Sequence, residues 1–262
     1  MRILQEIVSH KLKEVSLRKK IISYKFLESS YFFKKNCFSL RNILDESKPG
    51  VIAEFKRRSP SKQIINNNLS IHEVSKTYEN CGAIGMSVLT DLKFFGGSEE
   101  DLNVASFLTK IPILRKDFII DEFQVIESKS FGADVILLIA AILNKNKIKK
   151  LSSLAKSLGL EVLLEIHDIK ELNDYYLNNI DIIGVNNRNL KDFSIDINIS
   201  KKISDKIPKG FKKISESGIS DINVIRDLKN YGYSGFLIGE KFMINHKKES
   251  IRHFIKNINN ET

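Results

Sequence analysis

Tryptophan is absent from the 262-residue chain, proline occurs four times, cysteine twice and glycine thirteen times. So little proline and glycine excludes collagen-like, proline-rich and low-complexity architectures. Cys37 and Cys81 stand far apart and in no metal-type spacing, so neither a disulfide scaffold nor a zinc module is readable. Two free thiols fit a reducing cytoplasm, the compartment expected for this chain. The longest apolar run, Val135 to Leu143, falls well short of the ~20 residues that cross a bilayer. Charge interrupts the first residues, Met1-Arg2-Ile3-Leu4-Gln5-Glu6, which excludes a secretory signal. Walker-type and G-x-G-x-x-G loops are missing, so nucleotide binding has no support. No heptad array or tandem repeat is visible.

Hydrophobic residues make up 42% of the chain and charged residues 28%, enough apolar surface for a sizeable core. The length is close to the ~250 residues of one eight-stranded α/β barrel. Lys and Arg exceed Asp and Glu by 42 to 32, a formal charge of +10 that invites an anionic partner. Ile, Lys, Asn and Ser dominate the text, as in an AT-rich coding sequence, so much of that charge reads as surface composition. The lysines are scattered over many helical segments and form no stripe, which argues against a nucleic-acid-binding protein.

Short apolar runs recur along the chain. They are Val51 to Lys56, Ile84 to Leu89, Ile111 to Arg115, Val135 to Ile139, Val162 to Ile166, Ile182 to Val185, Lys213 to Glu216 and Gly235 to Ile238. Several are β-branched and nearly continuous, as in strands covered on both faces. Amphipathic segments of helical length separate them. Ser70 with Glu73, Ser98 with Asp101, Asp168 with Glu171, and Ser220 mark helix starts. Gly82, Gly132, Gly159 and Gly232 mark helix ends. Regular alternation of eight strands with helices predicts a single (β/α)8 barrel spanning residues 48–256, with no second domain.

Residues 1–47 precede the first strand. Ile3, Leu4, Ile7, Val8, Leu12 and Val15 recur at helical spacing, predicting an extra amphipathic helix. Both signs of charge share its polar face, which argues against a membrane-surface helix. An irregular stretch with Tyr31-Phe32-Phe33, Leu40 and Ile43-Leu44 is expected to dock on the barrel.

In such barrels chemistry sits at the C-terminal ends of the strands. Those ends are polar here: Glu54 and Lys56 after strand 1, Lys116-Asp117-Phe118 after strand 3, and Glu165 after strand 5. Asn186-Asn187-Arg188 follow strand 6, Glu216-Ser217-Gly218 strand 7, and Gly239-Glu240 strand 8. Glu54 and Lys56 share a strand face and both point into the mouth. One charged strand end reads as a solvated loop, but six converging on one mouth do not. Packing lysines and glutamates together pushes their pKa values apart, which suits acid–base work. The turns after strands 7 and 8 have the position and glycine content of a phosphate site. A cation held by Glu54, Glu165 and Glu216 would compete with the interleaved Lys56 and Lys116. His167 reads as a loop histidine, and His10, His72, His246 and His253 form no ligand pair.

These residues resemble the indole-3-glycerol phosphate synthase family. The signature is Ala53-Glu54-Phe55-Lys56-Arg57-Arg58-Ser59-Pro60-Ser61. It is joined by Ser87-Val88-Leu89-Thr90-Asp91 with Phe94-Phe95-Gly96-Gly97-Ser98, and by Leu114-Arg115-Lys116-Asp117-Phe118-Ile119. Leu164-Glu165-Ile166-His167, Gly184 to Leu190, Ser215 to Ile219 and Phe236 to Glu240 follow in order. The N-terminal segment, Ile3-Leu4 through Arg18-Lys19, is similar to the family's extra helix.

The resemblance implies ring closure of 1-(2-carboxyphenylamino)-1-deoxyribulose 5-phosphate with loss of CO2 and water, a tryptophan-pathway step without metal or organic cofactor. By resemblance, Lys116 would be the general acid at the substrate carbonyl. Lys56 would bind anionic groups and assist proton transfer, and Glu165 would serve the dehydration. Glu54 and Asn186 would hold these groups and the substrate hydroxyls, and Glu216 would line the same pocket. Phe95 and Phe118 would clamp the anthranilate ring, with Ser59 and Arg188 orienting its carboxylate. Ser217, Gly218, Gly239 and Glu240 would hold the phosphate through backbone donors.

The expected partner is therefore a small phosphorylated substrate, with no nucleic acid, membrane or obligate protein partner. A lysine acid is expected to need a lowered pKa, supplied by like-charge repulsion between Lys56 and Lys116. Two departures from the family pattern stand out. Arg115 replaces an apolar residue and should face outward, and Glu240 stands where some members have Ser. A phosphate-binding barrel isomerase would share the strand 7 and 8 turns, but has no need of the extra helix or the lysine-rich mouth.

Overall fold

The computed structural model describes residues 2–173 and 178–258. The expected domain therefore includes residues 174–177 and 259–262, which lie outside the described residues, as does Met1. Eight parallel strands close in sequence order into a barrel: β1 Gly50–Phe55, β2 Gly85–Leu89, β3 Ile113–Lys116 and β4 Val135–Ile139, then β5 Glu161–Ile166, β6 Ile182–Asn186, β7 Lys212–Glu216 and β8 Gly235–Ile238. The (β/α)8 reading holds, and each strand lies within about two residues of its predicted apolar run.

Alternation sorts the strand residues. Ile52, Leu114, Leu137, Leu163, Ile182, Ile214 and Leu237 fill the barrel interior. Residues such as Val51, Ala53, Val88, Ile136, Leu138, Val162, Leu164, Ile183 and Val185 pack outward against the helices. Both faces are thus apolar, which is why the strands read as near-continuous hydrophobic runs.

Helix starts follow the expected chemistry. Ser70 accepts from the Glu73 N–H, Ser98 from the Asp101 N–H, and Asp168 from the Glu171 N–H. After β7 the expectation shifts by one: Asp221, not Ser220, caps the helix Ile222–Lys229, accepting from the Asn223 N–H. A carboxylate beside the positive end of the helix dipole is the better cap of the two neighbours.

The N-terminal segment forms the helix Arg2–Ile21. Its buried stripe differs from the expected one. Ile7, Lys11 and Val15 are enclosed, whereas Leu12 is 59% exposed. The stretch expected to be irregular contains three short helical turns, Tyr24–Glu28, Tyr31–Lys34 and Leu40–Ile43. Leu40 and Leu44 are buried beside the N-terminal ends of β2 and β8, in contact range of Gly85 and Gly235. Tyr31 and Ile43 do not dock and are solvent-exposed. No helix among the described residues is long and apolar enough to cross a membrane.

Candidate active site

The C-terminal ends of the strands surround one cavity of about 580 Å³, lined among others by Glu54, Lys56, Ser59, Phe95, Lys116, Phe118, Glu165, Asn186, Arg188, Glu216, Ser217, Gly218, Gly239 and Glu240. All fourteen residues singled out in the sequence therefore border the same space. Strand register explains part of this. Leu89 pairs with Lys116, Ile139 with Glu165, and Asn186 with Glu216, so the terminal residues of neighbouring strands end at one level.

Lys116 is the hub. Its ammonium, carried by β3, reaches across the mouth to β7 and donates to Glu216 Oε2 at 2.8 Å. Glu165 Oε2 lies 3.6 Å away and Glu54 Oε2 3.7 Å away. Lys56 donates to Glu54 Oε1 at 2.6 Å. The lysine thus stands among the three carboxylates that the sequence offered as possible cation ligands.

The expectation of a lowered lysine pKa is overturned. Burial by itself would lower it, but Glu216, Glu54 and Glu165 outweigh burial and hold the Lys116 ammonium well above its ordinary value. Lys56, the intended source of repulsion, is engaged by Glu54. Burial raises Glu54, yet Lys56 and Lys116 together leave it below the usual carboxylate range. Glu216 goes the other way. Burial, reinforced by Glu165 and Glu54, pushes it up to about 7 despite Lys116. The carboxylates of one mouth are split into an ionised group and one that titrates near neutrality.

Two glycines make room for these acids. A Cβ on Gly184 in β6 would lie 2.5 Å from Glu216 Oε1, and one on Gly239 would lie 2.6 Å from Glu54 Oε1. Glycine inside a strand is the sequence signal for such close approach.

The aromatic wall is formed by Phe95 and Phe118, whose ring centroids are 5.9 Å apart. Ile3, Leu4 and Ile7 of the N-terminal helix line the cavity as well, a contribution that residue spacing alone did not reveal. At the rim, Ser59 Oγ lies 3.1 Å from Ser61 Oγ, and Arg188 Nη1 donates to Ser61 Oγ at 3.4 Å and to the Phe193 carbonyl. Asn186 accepts from the Arg188 N–H, which anchors the start of that loop.

The turn after β7 is held in an unusual conformation. Ser217 has φ 66° and Gly218 φ 78°, so a non-glycine residue sits in the left-handed region. Asn187 holds it there. Its amide donates to Ser215 Oγ and to the Glu216 and Ser217 carbonyls, while its oxygen accepts from Ser200. In the sequence Asn187 stands inside the polar run Asn186-Asn187-Arg188, and nothing local marks it as the brace of a turn.

The Glu240 carboxylate accepts from Lys62 Nζ at 2.9 Å. Arg115 faces away from the barrel interior, as expected, but is buried. Its guanidinium meets Asp117, Glu127 and Glu99. His167 lies behind Glu165, with Nε2 3.5 Å from Glu165 and Nδ1 3.4 Å from Glu171. Burial opposes its protonation, but Glu171 and Glu165 raise its pKa overall.

The model of the indole-3-glycerol phosphate synthase family matches residues 4–257. The chain is 46% identical over 257 residues to the indole-3-glycerol phosphate synthase of Bacteroides thetaiotaomicron, with 98% of each chain covered. It is 41% identical over 256 residues to the enzyme of that name from Caldanaerobacter subterraneus subsp. tengcongensis, again with 98% of each covered. The counterpart from Campylobacter jejuni subsp. doylei is 43% identical over 218 residues, covering 83% of this chain and 84% of its own.

Proposed function

The chain belongs to the indole-3-glycerol phosphate synthase family, the carboxy-lyases of that tryptophan-biosynthetic step, and we propose that its polar mouth closes the indole ring with Lys116 as the central acid. The observation that carries this reading is the Lys116 ammonium, set among Glu216, Glu165 and Glu54 in a cavity that also contains the tilted pair of Phe95 and Phe118 rings.

The substrate joins a carboxylated aromatic amine to a ribulose 5-phosphate. Phe95 and Phe118 take the aromatic ring, with Ser59 and Arg188 at its carboxylate. The backbone of Ser217, Gly218, Gly239 and Glu240 takes the phosphate, since turns and first helical residues present N–H groups without intrahelical acceptors. Binding both ends places the ring carbon that bears the carboxylate against the ketone carbon, which removes much of the entropic cost of closure.

As that carbon–carbon bond forms, the carbonyl oxygen gains negative charge. Lys116, held as an ammonium by the surrounding carboxylates, stabilises that charge and donates its proton as the oxygen becomes a basic alkoxide. Lys56 balances the substrate's anionic groups, and the carboxylate carbon then leaves as CO2, returning its electron pair to the ring. Glu165 serves the dehydration that follows: it removes a proton from the CH2 beside the nitrogen, the double bond forms to the former ketone carbon, and the hydroxyl takes up a proton and departs as water. Glu54 and Asn186 hold the lysines and the substrate hydroxyls, and Glu216 keeps Lys116 in register. One CO2 and one water leave per indole-3-glycerol phosphate formed.

Incubation with 1-(2-carboxyphenylamino)-1-deoxyribulose 5-phosphate should yield indole fluorescence and stoichiometric CO2. The absence of tryptophan keeps the protein's own background low. Indole formation without CO2, or no consumption of substrate, contradicts the reading.

A further inference from the structure

Lys11 lies in the middle of the N-terminal helix, yet its side chain is fully buried. Its ammonium sits 2.9 Å from Asp91 Oδ2 and 3.1 Å from Asp117 Oδ1, with Glu14 at 3.1 Å. Each aspartate uses its Oδ1 on a backbone N–H in a ring-bearing segment. Asp91 caps the short helix Leu92–Phe95 by accepting from the Phe94 N–H at 2.7 Å. Asp117 accepts from the Phe118 N–H at 2.7 Å. One lysine therefore joins the carboxylate that orients the backbone next to Phe95 to the carboxylate that orients Phe118.

The two acids differ in their other support. Asp117 Oδ2 also accepts from Thr90 Oγ1 at 2.6 Å and from Arg115 Nη2 at 3.0 Å. Asp91 Oδ2 has Lys11 as its ion-pair partner among the described residues. Without Lys11, two buried carboxylates would face each other across the gap its ammonium fills, and an unpaired buried charge is strongly unfavourable. Relief comes either by separation of the β2 and β3 loops or by one carboxylate taking up a proton, and both lose the ammonium bridge that holds the two ring-bearing segments at a fixed spacing.

We infer that Lys11 is a positioning residue of the aromatic subsite, setting the separation of Phe95 and Phe118 by clasping Asp91 and Asp117. The inference rests on reading those two rings as the clamp for the substrate's aromatic part. It gives the N-terminal helix a function beyond covering the barrel: its ammonium fixes the spacing of the aryl pocket that its own Ile3, Leu4 and Ile7 help to line.

The test compares two ligands, indole-3-glycerol phosphate and inorganic phosphate, by calorimetric titration of the full chain. Lys11→Met should weaken indole-3-glycerol phosphate binding at least about tenfold, as small misplacements in a preorganised site do. Inorganic phosphate affinity should stay at its wild-type value. The double variant K11M/D91N should recover most of the loss, because an amide at 91 still caps the helix while the unpaired charge is gone. If Lys11→Met does not fold, Asp91→Ala carries the test. It removes the cap and the Lys11 contact but leaves Lys11 its Asp117 partner, and should give the same selective loss. Unchanged indole-3-glycerol phosphate binding in Lys11→Met, or equal weakening of both ligands without recovery in the double variant, overturns the inference. Failure of the wild-type chain to bind indole-3-glycerol phosphate overturns the functional reading instead, and this inference with it.

Discussion

Lys116 Nζ and Glu216 Oε2 meet at 2.8 Å across the mouth of the barrel, joining β3 to β7. The contact does not settle Glu216 as an ordinary carboxylate, because burial and two neighbouring acids push its pKa from 4.5 up to about 7. The raised value means the folded chain holds this proton more tightly than the unfolded chain. Glu216 therefore contributes stability below about pH 4.5, and that contribution is lost as pH rises through about 7. Denaturant unfolding of the wild-type chain and Glu216→Gln across this window should show the wild type losing stability relative to the variant. Parallel curves contradict the assignment.

Gly184 supplies the space that Glu216 occupies. Gly184→Ala places a methyl group 2.5 Å from Glu216 Oε1 and 2.8 Å from Leu163 Cδ2. Leu163 is packed in the barrel interior, so Glu216, which borders the cavity, is the neighbour that must shift. The substitution should cost about 1–3 kcal/mol of stability, as overpacking usually does, and turnover should fall because Glu216 is displaced from Lys116. Wild-type melting together with wild-type turnover would show that the space is not needed.

Glu240 holds its carboxylate on Lys62 in a half-exposed pair at the rim. Such a pair is worth under about 1 kcal/mol, so Lys62→Ala should leave stability nearly unchanged. It should nevertheless free a negative charge beside the turn proposed to bind phosphate. We expect KM for the phosphorylated substrate to rise about three- to tenfold, with the effect shrinking at high salt. Glu240→Gln in the Lys62→Ala background should reverse the rise. A KM insensitive to Lys62→Ala would mean that the Glu240 side chain never approaches the phosphate.

Much of this was legible in the sequence, for identifiable reasons. Strands covered on both faces are near-continuous apolar runs, so a polar residue at or next to the end of a run marks the mouth: Glu54, Lys116, Glu165, Asn186 and Glu216 stand at such positions in five of the eight strands. Lys11 stands four residues from both Ile7 and Val15 and so on the same helix face, but its residue type reads as solvated surface. Only folding brings it to Asp91 and Asp117, which lie far along the chain. The sequence places Lys56 and Glu216 alike at the mouth that Lys116 shares, and which of them the ammonium meets is decided only by the geometry across the barrel, where Glu216 reaches Lys116 and Glu54 takes Lys56. Ser220 and Asp221 are neighbours of the capping type, and residue type alone does not say which of the two caps the helix Ile222–Lys229.

The central claim is that Lys116 delivers the proton that drives ring closure. Lys116→Ala should keep its fold, since Glu216 already titrates near neutrality and can take up a proton when the ammonium is removed. Its turnover of 1-(2-carboxyphenylamino)-1-deoxyribulose 5-phosphate, followed by indole fluorescence, should fall by about 10³-fold or more, as loss of a positioned acid together with its charge requires. A cooperative melt like the wild type's with turnover within a few-fold of it would contradict the account.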